Sequence, residues 1–229
     1  MTPMSDAKSV TIVVDKANSV SGLLLAPSNA RACYVLAHGA GAGMNHPFMA
    51  AVAAELGERG IATLRYQFPY MEKGAKRPDP PKLAHATVRA AVNEAAQLLP
   101  KVALFAGGKS FGGRMTSQAQ AATVLPGVRG LAFLGFPLHP AGKPSSERGQ
   151  HLFDVRIPML FLQGTRDQLA VLVELKPLCD ALGATLATFQ DADHSFHVPA
   201  RTGRKDADVR SDVLDKLVAW IDRALAASK

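Results

Sequence analysis

The sequence predicts an α/β fold: a mostly parallel sheet with helices on both faces and an N-terminal antiparallel hairpin at one edge. Three observations carry this. Short apolar strands without polar alternation recur along the chain, as they do in sheets buried on both faces. Helix-length stretches separate them, the pattern of strand-helix-strand crossovers. The composition is 48% hydrophobic but only 6% aromatic, and its abundant Gly and Ala suit helices packed closely on a sheet. A chain of 229 residues with this apolar content fills one domain, residues 1–229.

The hairpin comes first, with Val10 to Val14 and Val20 to Leu25 flanking the polar stretch Asp15 to Ser19. Six apolar strands follow, at Cys33 to Ala37, Ile61 to Tyr66, Val102 to Ala106, Gly130 to Leu134, Met159 to Gln163 and Thr185 to Phe189. The helices expected with them are Pro47 to Arg59, Lys82 to Leu98, Phe111 to Thr123, Val171 to Leu182 and Asp206 to Ala226. Pro78 to Pro81 and His139 to Gln150 read as loops, and no internal repeat or low-complexity tract interrupts the series. Pro137 to Ile157 is too short for a large cap domain. In sheets of this kind ligands bind at the carboxyl ends of the strands, so the loops there are the ones to search.

Charge excludes some partners. The net charge is +7, but Lys and Arg are scattered, in small clusters at Lys73, Lys76, Arg77 and at Arg201, Arg204, Lys205. No run of like charge forms a nucleic-acid or membrane-binding stripe, so neither partner is expected. Cys33 and Cys179 are far apart inside apolar stretches and read as buried free thiols in a reducing compartment. Met1 to Asp15 lacks a basic segment followed by an apolar one, and no stretch of about 18 apolar residues occurs. The expectation is a cytoplasmic protein. Nothing in the sequence sets an oligomeric state.

The strand ending at Ala106 runs into Gly107-Gly108-Lys109-Ser110-Phe111-Gly112-Gly113, and a helix follows at once. This is G-x-S-x-G between strand and helix, in which the serine occupies a strained turn and glycines leave room for strand and helix to pass. Ser110 is the candidate nucleophile. A phosphate-cradling loop ending in Gly108-Lys109-Ser110 would need glycine where Ala103 stands, and Gly39-Ala40-Gly41-Ala42-Gly43 meets Met44 or His46 where a dinucleotide fingerprint needs its last glycine. No cofactor is therefore expected. The alternative for the elbow is a structural turn with an idle serine.

A serine hydroxyl needs a base to take its proton and a carboxylate to hold that base. These partners should follow in the order acid, then histidine, on loops after later strands. Asp167 follows the strand Met159 to Gln163, and His194 follows Thr185 to Phe189. Asp191 and Asp193 share the histidine's loop and read as turn formers, ranking below Asp167. Of the seven histidines, His38 reads as a structural hydrogen-bond partner. His194 and His197 suggest a metal pair, but no helical His pair or Cys cluster completes a site, so no metal is expected.

The loop His38 to Gly43 lies at the same sheet edge, and its small residues let backbone amides approach a substrate oxygen. The amides of Ala40 and Phe111 are the candidate oxyanion hole; the alternative is a turn that merely opens a helix. The loop expected at Phe68 to Glu72, after the strand Ile61 to Tyr66, has two readings, a pocket rim or packed core. Lys73, Lys76, Arg77 and Lys109 raise the hypothesis of a negatively charged substrate.

The segments HGAGAGMNHPFM, RYQFPYMEKG, GGKSFGGRM, LGFPLHPAGKP, LQGTRDQL and DADHSF resemble the alpha/beta-hydrolase superfamily, in particular a branch of small predicted hydrolases related to dienelactone hydrolase. The resemblance implies the same Ser110, His194, Asp167 triad. The elbow, the ordered partners and the glycine loop lead to the expectation of a small-molecule acyl substrate, an ester or thioester hydrolysed through an acyl-Ser110 intermediate. Dienelactone hydrolase carries cysteine where this chain has Ser110, so its lactone substrate is not carried over. The branch is also similar to testis-expressed protein 30 and to a chromatin-complex subunit in which a hydrolase-like domain serves as a scaffold. A non-enzymatic interaction module is the competing expectation.

Overall fold

The structure, a computed structural model, describes residues 7–227. The start of the Met1 to Asp15 stretch lies outside them. One sheet of eight strands has the order β1-β2-β4-β3-β5-β6-β7-β8. β1 (Lys8–Val13) and β2 (Ser19–Leu25) form the antiparallel hairpin at one edge. Its turn is held by Asp15, whose Oδ1 accepts from the amides of Ala17 and Asn18 at 2.8 and 2.9 Å. β2 pairs antiparallel with β4 (Ile61–Tyr66). From β4 onward every pairing is parallel, through β3 (Ala32–Ala37), β5 (Ala103–Lys109), β6 (Val128–Leu134), β7 (Met159–Gly164) and β8 (Thr185–Phe189).

The central strands bury both faces because helices cover both. All six residues of β3 are buried. Its Cys33, Val35 and Ala37 belong to one core, shared with α3 (Pro81–Leu98), α4 (Phe111–Ala122) and α5 (Leu172–Leu182). Ala32, Tyr34 and Leu36 belong to the other, shared with α1 (Pro47–Glu58) and α6 (Asp206–Ala226). This is the period-2 alternation of a strand read out as two layers. Pairs of Arg31 with Asp222, Arg59 with Asp215 and Arg210 with Glu55 tie α6 to its neighbours. No helix among the described residues is long and apolar enough to cross a membrane.

Boundaries differ from expectation in instructive places. β5 extends through Gly107 and Gly108 to Lys109, so the glycines expected as a turn are strand, and Gly108 pairs in register with Ala37. A short helix, α2 (Pro69–Glu72), stands where a loop was expected; Pro69 at its first position presets φ for a helical turn. Phe68 and Tyr70 take the core reading. They are 0% and 2% exposed and pack against Phe111 with ring centroids 5.3 and 6.5 Å apart. Between β6 and β7 the only helical segment is a 3-10 stretch, Glu147–Asp154, so no large cap covers the sheet edge. Cys33 and Cys179 are free and buried, and burial pushes both thiols up to about 12.

Candidate active site

The chain leaves β3 toward β4 on one side and reaches β5 on the other. Their carboxyl ends therefore diverge into a crevice, the place where open parallel sheets hold ligands. The glycine loop after β3 forms one wall and Ser110 the other. Ser110 itself has φ 50° and ψ −117°, a conformation that non-glycine residues reach only under strain. Close packing keeps it there. A methyl group on Gly108 would lie 2.2 Å from the Ala37 carbonyl oxygen, and one on Gly112 2.6 Å from that of His38. The Ser110 amide donates to the Leu134 carbonyl at 3.3 Å, tying the turn to β6.

The three residues predicted as a unit come together. The Ser110 Oγ to His194 Nε2 distance is 2.8 Å, and His194 Nδ1 lies 2.7 Å from Asp167 Oδ2. The acid is 3% exposed, and its burial is compensated by three donors: His194 Nδ1–H, the Leu169 amide at 2.8 Å and the Gln163 side-chain amide. Gln163 also accepts from the Phe136 amide at 3.0 Å, so it locks the carboxylate to the strand ends. Gly164 lets the acid and histidine loops meet, since a methyl group there would lie 2.3 Å from the Ala192 carbonyl oxygen.

The aspartates nearest His194 have other work. Asp193 Oδ1 accepts from the amides of Ser195 and His197 at 2.7 and 3.0 Å, and Asp191, at φ 60°, turns the chain. His197 pairs with Asp206 at 3.0 Å. Among the described residues no group of three or more His, Cys, Asp or Glu side chains converges as a metal site.

Lys109 lies between the elbow and the histidine loop. Its Nζ donates to the His194 carbonyl at 2.5 Å and sits 5.7 Å from the centre of the Phe196 ring, within cation–π range. Burial pushes its pKa down to about 8, against the opposing pull of Asp167 and Asp193.

Ala40, Ser110 and Phe111 line one cleft of about 380 Å³. Neither the Ala40 nor the Phe111 amide donates to another group among the described residues, so both remain available. The loop carrying Ala40 is held by the Gly41 amide, which donates to the Tyr70 hydroxyl at 2.9 Å. His38 holds its other end: Nδ1–H donates to the Gly39 carbonyl at 2.7 Å and Nε2 accepts from the Phe68 amide at 3.2 Å. Burial depresses the His38 pKa to about 4, so the ring is neutral near pH 7.

Gln163, which holds Asp167, and Arg114 and Arg148, which line the same cleft as Ser110, are not singled out by the sequence. Arg114 carried a signal, because it lies one helical turn after Ser110. Gln163 ends a strand like any polar residue, and Arg148 sits in a loop without periodicity. Conversely, Lys73, Lys76 and Arg77 do not line the cleft; Lys73 reaches Asn18 at 3.0 Å instead.

A family model described as an alpha/beta hydrolase domain matches residues 30–222. Solved structures similar to this one include a lidless serine hydrolase from Xanthomonas campestris, at 21% identity, TM-score 0.71 and coverage of 94% of this chain and 95% of that one. A dienelactone hydrolase from Anabaena variabilis matches at 18% identity and TM-score 0.75, over 96% and 98% of the two chains. An esterase domain from a Rhodothermus marinus protein matches at 19% identity and TM-score 0.72, over 96% and 99%. At these identities the structural likeness speaks for the fold. The family match covers most of the sequence, and the chain belongs to the alpha/beta hydrolase domain family.

Proposed function

We propose that the protein is a serine hydrolase that cleaves a small ester or thioester through an acyl-Ser110 intermediate. The observation that carries this reading is the continuous hydrogen-bond chain from Ser110 Oγ through His194 to buried Asp167. In the proposed reaction His194 Nε2 takes the Ser110 proton as Oγ attacks the acyl carbon, and then gives it to the departing alcohol or thiol. Asp167 fixes the imidazole with Nδ1 protonated and supports its transient positive charge.

The tetrahedral oxygen is received by the amides of Ala40 and Phe111, the latter at the positive end of α4. Water, activated by the same histidine, then releases the acid and restores Ser110. The open sheet edge suits small or flexible acyl groups. The lidless serine hydrolase and the esterase domain among the similar folds agree with this class of chemistry. Free buried thiols fit a reducing, cytoplasmic setting.

The test is hydrolysis of 4-nitrophenyl acyl esters of increasing chain length by wild type, Ser110→Ala and His194→Ala, with circular dichroism confirming the fold. Loss of turnover by about 10³-fold or more in both variants is expected. Undiminished turnover in folded Ser110→Ala would refute the reading.

A further inference from the structure

The cleft beside Ser110 is lined by two guanidinium groups that form no ion pair among the described residues. Arg114 and Arg148 both line it, the first on α4 and the second on the 3-10 stretch Glu147–Asp154. Neither forms an ion pair or side-chain hydrogen bond among the described residues, whereas Arg31, Arg59, Arg204 and Arg210 each meet an Asp or Glu. The Arg114 Nε is buried without a partner. Burial, and after it the charge of Arg148, lower the Arg114 pKa, so the two cations stand close enough to feel each other.

One acid faces the two cations. Asp79 lines the same cleft, its Oδ2 accepting from the Tyr70 amide at 3.0 Å, and it makes no ion pair with either arginine, so the lining keeps an excess of positive charge. His85 is turned to Gln118 at 3.3 Å. His151 lies 2.8 Å from Ser117 Oγ, and burial with the charge of Arg114 holds its pKa at about 4, so it adds no charge near pH 7. An entering oxyanion that meets the guanidinium ends relieves the repulsion between the two arginines. The guanidinium fork matches a carboxylate in two parallel hydrogen bonds, and Pro78, Pro81, Met115 and Pro137 give the same cleft apolar lining.

We infer that Arg114 and Arg148 form an anion subsite of the acyl cleft, and that the substrate carries a carboxylate remote from the bond cleaved at Ser110. The inference deepens the hydrolase reading and rests on it. It moves the anion preference away from Lys73, Lys76 and Arg77 to two residues that line the cleft, half-buried Arg114 and exposed Arg148.

The experiment compares the 4-nitrophenyl monoester of glutaric acid with its neutral methyl ester, using wild type, Arg114→Gln, Arg148→Gln and the double variant. Wild type is expected to favour the acid in kcat/KM by about tenfold or more, the size of one charge-assisted contact. The double variant should lose that preference, chiefly through KM. A preference for the neutral ester in wild type, or one unchanged in the double variant, overturns the inference. Glutarate binding to Ser110→Ala, read as a rise in Tm that the added arginine substitutions abolish, reports the subsite independently of turnover. Failure of the hydrolase reading alone thus leaves a glutarate-dependent shift, and failure of the subsite alone leaves hydrolysis without acid preference. A larger arginine-dependent shift with inorganic phosphate than with glutarate would overturn the carboxylate assignment.

Discussion

Asp167 is held by three donors at once, and replacing its charge tests whether that arrangement serves His194. Asp167→Asn keeps the shape but offers the imidazole an amide, which favours the wrong tautomer; kcat is expected to fall by roughly 10⁴-fold, with the fold retained by circular dichroism. A fall below tenfold would remove Asp167 from the proposed triad. His38 gives a pH prediction. Its folded pKa of about 4 lies below the ordinary value of 6.5, so above pH 6.5 the ring is neutral in both states and contributes no pH dependence. As pH falls from 6.5 to 4, the unfolded chain binds a proton that the folded protein excludes, and stability declines by at most about 3 kcal/mol. His151, also lowered to about 4 but more exposed, adds a smaller share. Urea midpoints should drop between pH 7 and 4.5 in wild type, and less steeply in His38→Gln, although that variant starts lower. Equal slopes in the two proteins would contradict the assignment.

At the scale of elements, the junction of β5 and α4 is where backbone packing and chemistry meet. Gly108→Ala would drive a methyl group onto the Ala37 carbonyl in the strand pairing that holds the elbow, and a loss of about 3 kcal/mol or more is expected in urea unfolding. Wild-type stability would contradict the tight approach. Lys109→Met keeps the stem but removes the hydrogen bond to the His194 carbonyl. As a positioning residue its loss should lower kcat roughly tenfold with little change in KM; a rise in KM alone would mark it as a substrate contact instead. This junction was legible because Gly-x-Ser-x-Gly between an apolar strand and a helix has few physical solutions. What was not legible was that Gly107 and Gly108 continue the strand: glycine signals a turn locally, and only the neighbouring strand β3 shows why absent side chains are needed there. Phe68 and Tyr70 were ambiguous for a similar reason, since an aromatic residue at a sheet edge fits rim or core until its neighbours are known.

Across the whole molecule, the strand order brings together residues far apart in sequence. Ser110, Asp167 and His194 follow β5, β7 and β8, and their order along the chain could be read because each follows an unmistakable apolar strand. The layering could be read as well, from strands that lack polar alternation. The arginine pair could not, because Arg148 reaches the cleft through a 3-10 stretch with no periodic pattern and only the folded chain brings it beside α4. The same folding creates a second serine and histidine contact, between Ser117 and His151 at 2.8 Å, with Ser117 buried and its Oγ donating to the Arg114 carbonyl at 2.9 Å. This pair holds the 3-10 stretch against α4. The most direct test of the account is therefore peptide mass mapping after reaction of the native protein with a fluorophosphonate. A single adduct on the peptide carrying Ser110, absent in folded Ser110→Ala, is the predicted result; no adduct on the wild-type protein, or an adduct at Ser117 in its place, would contradict the central claim.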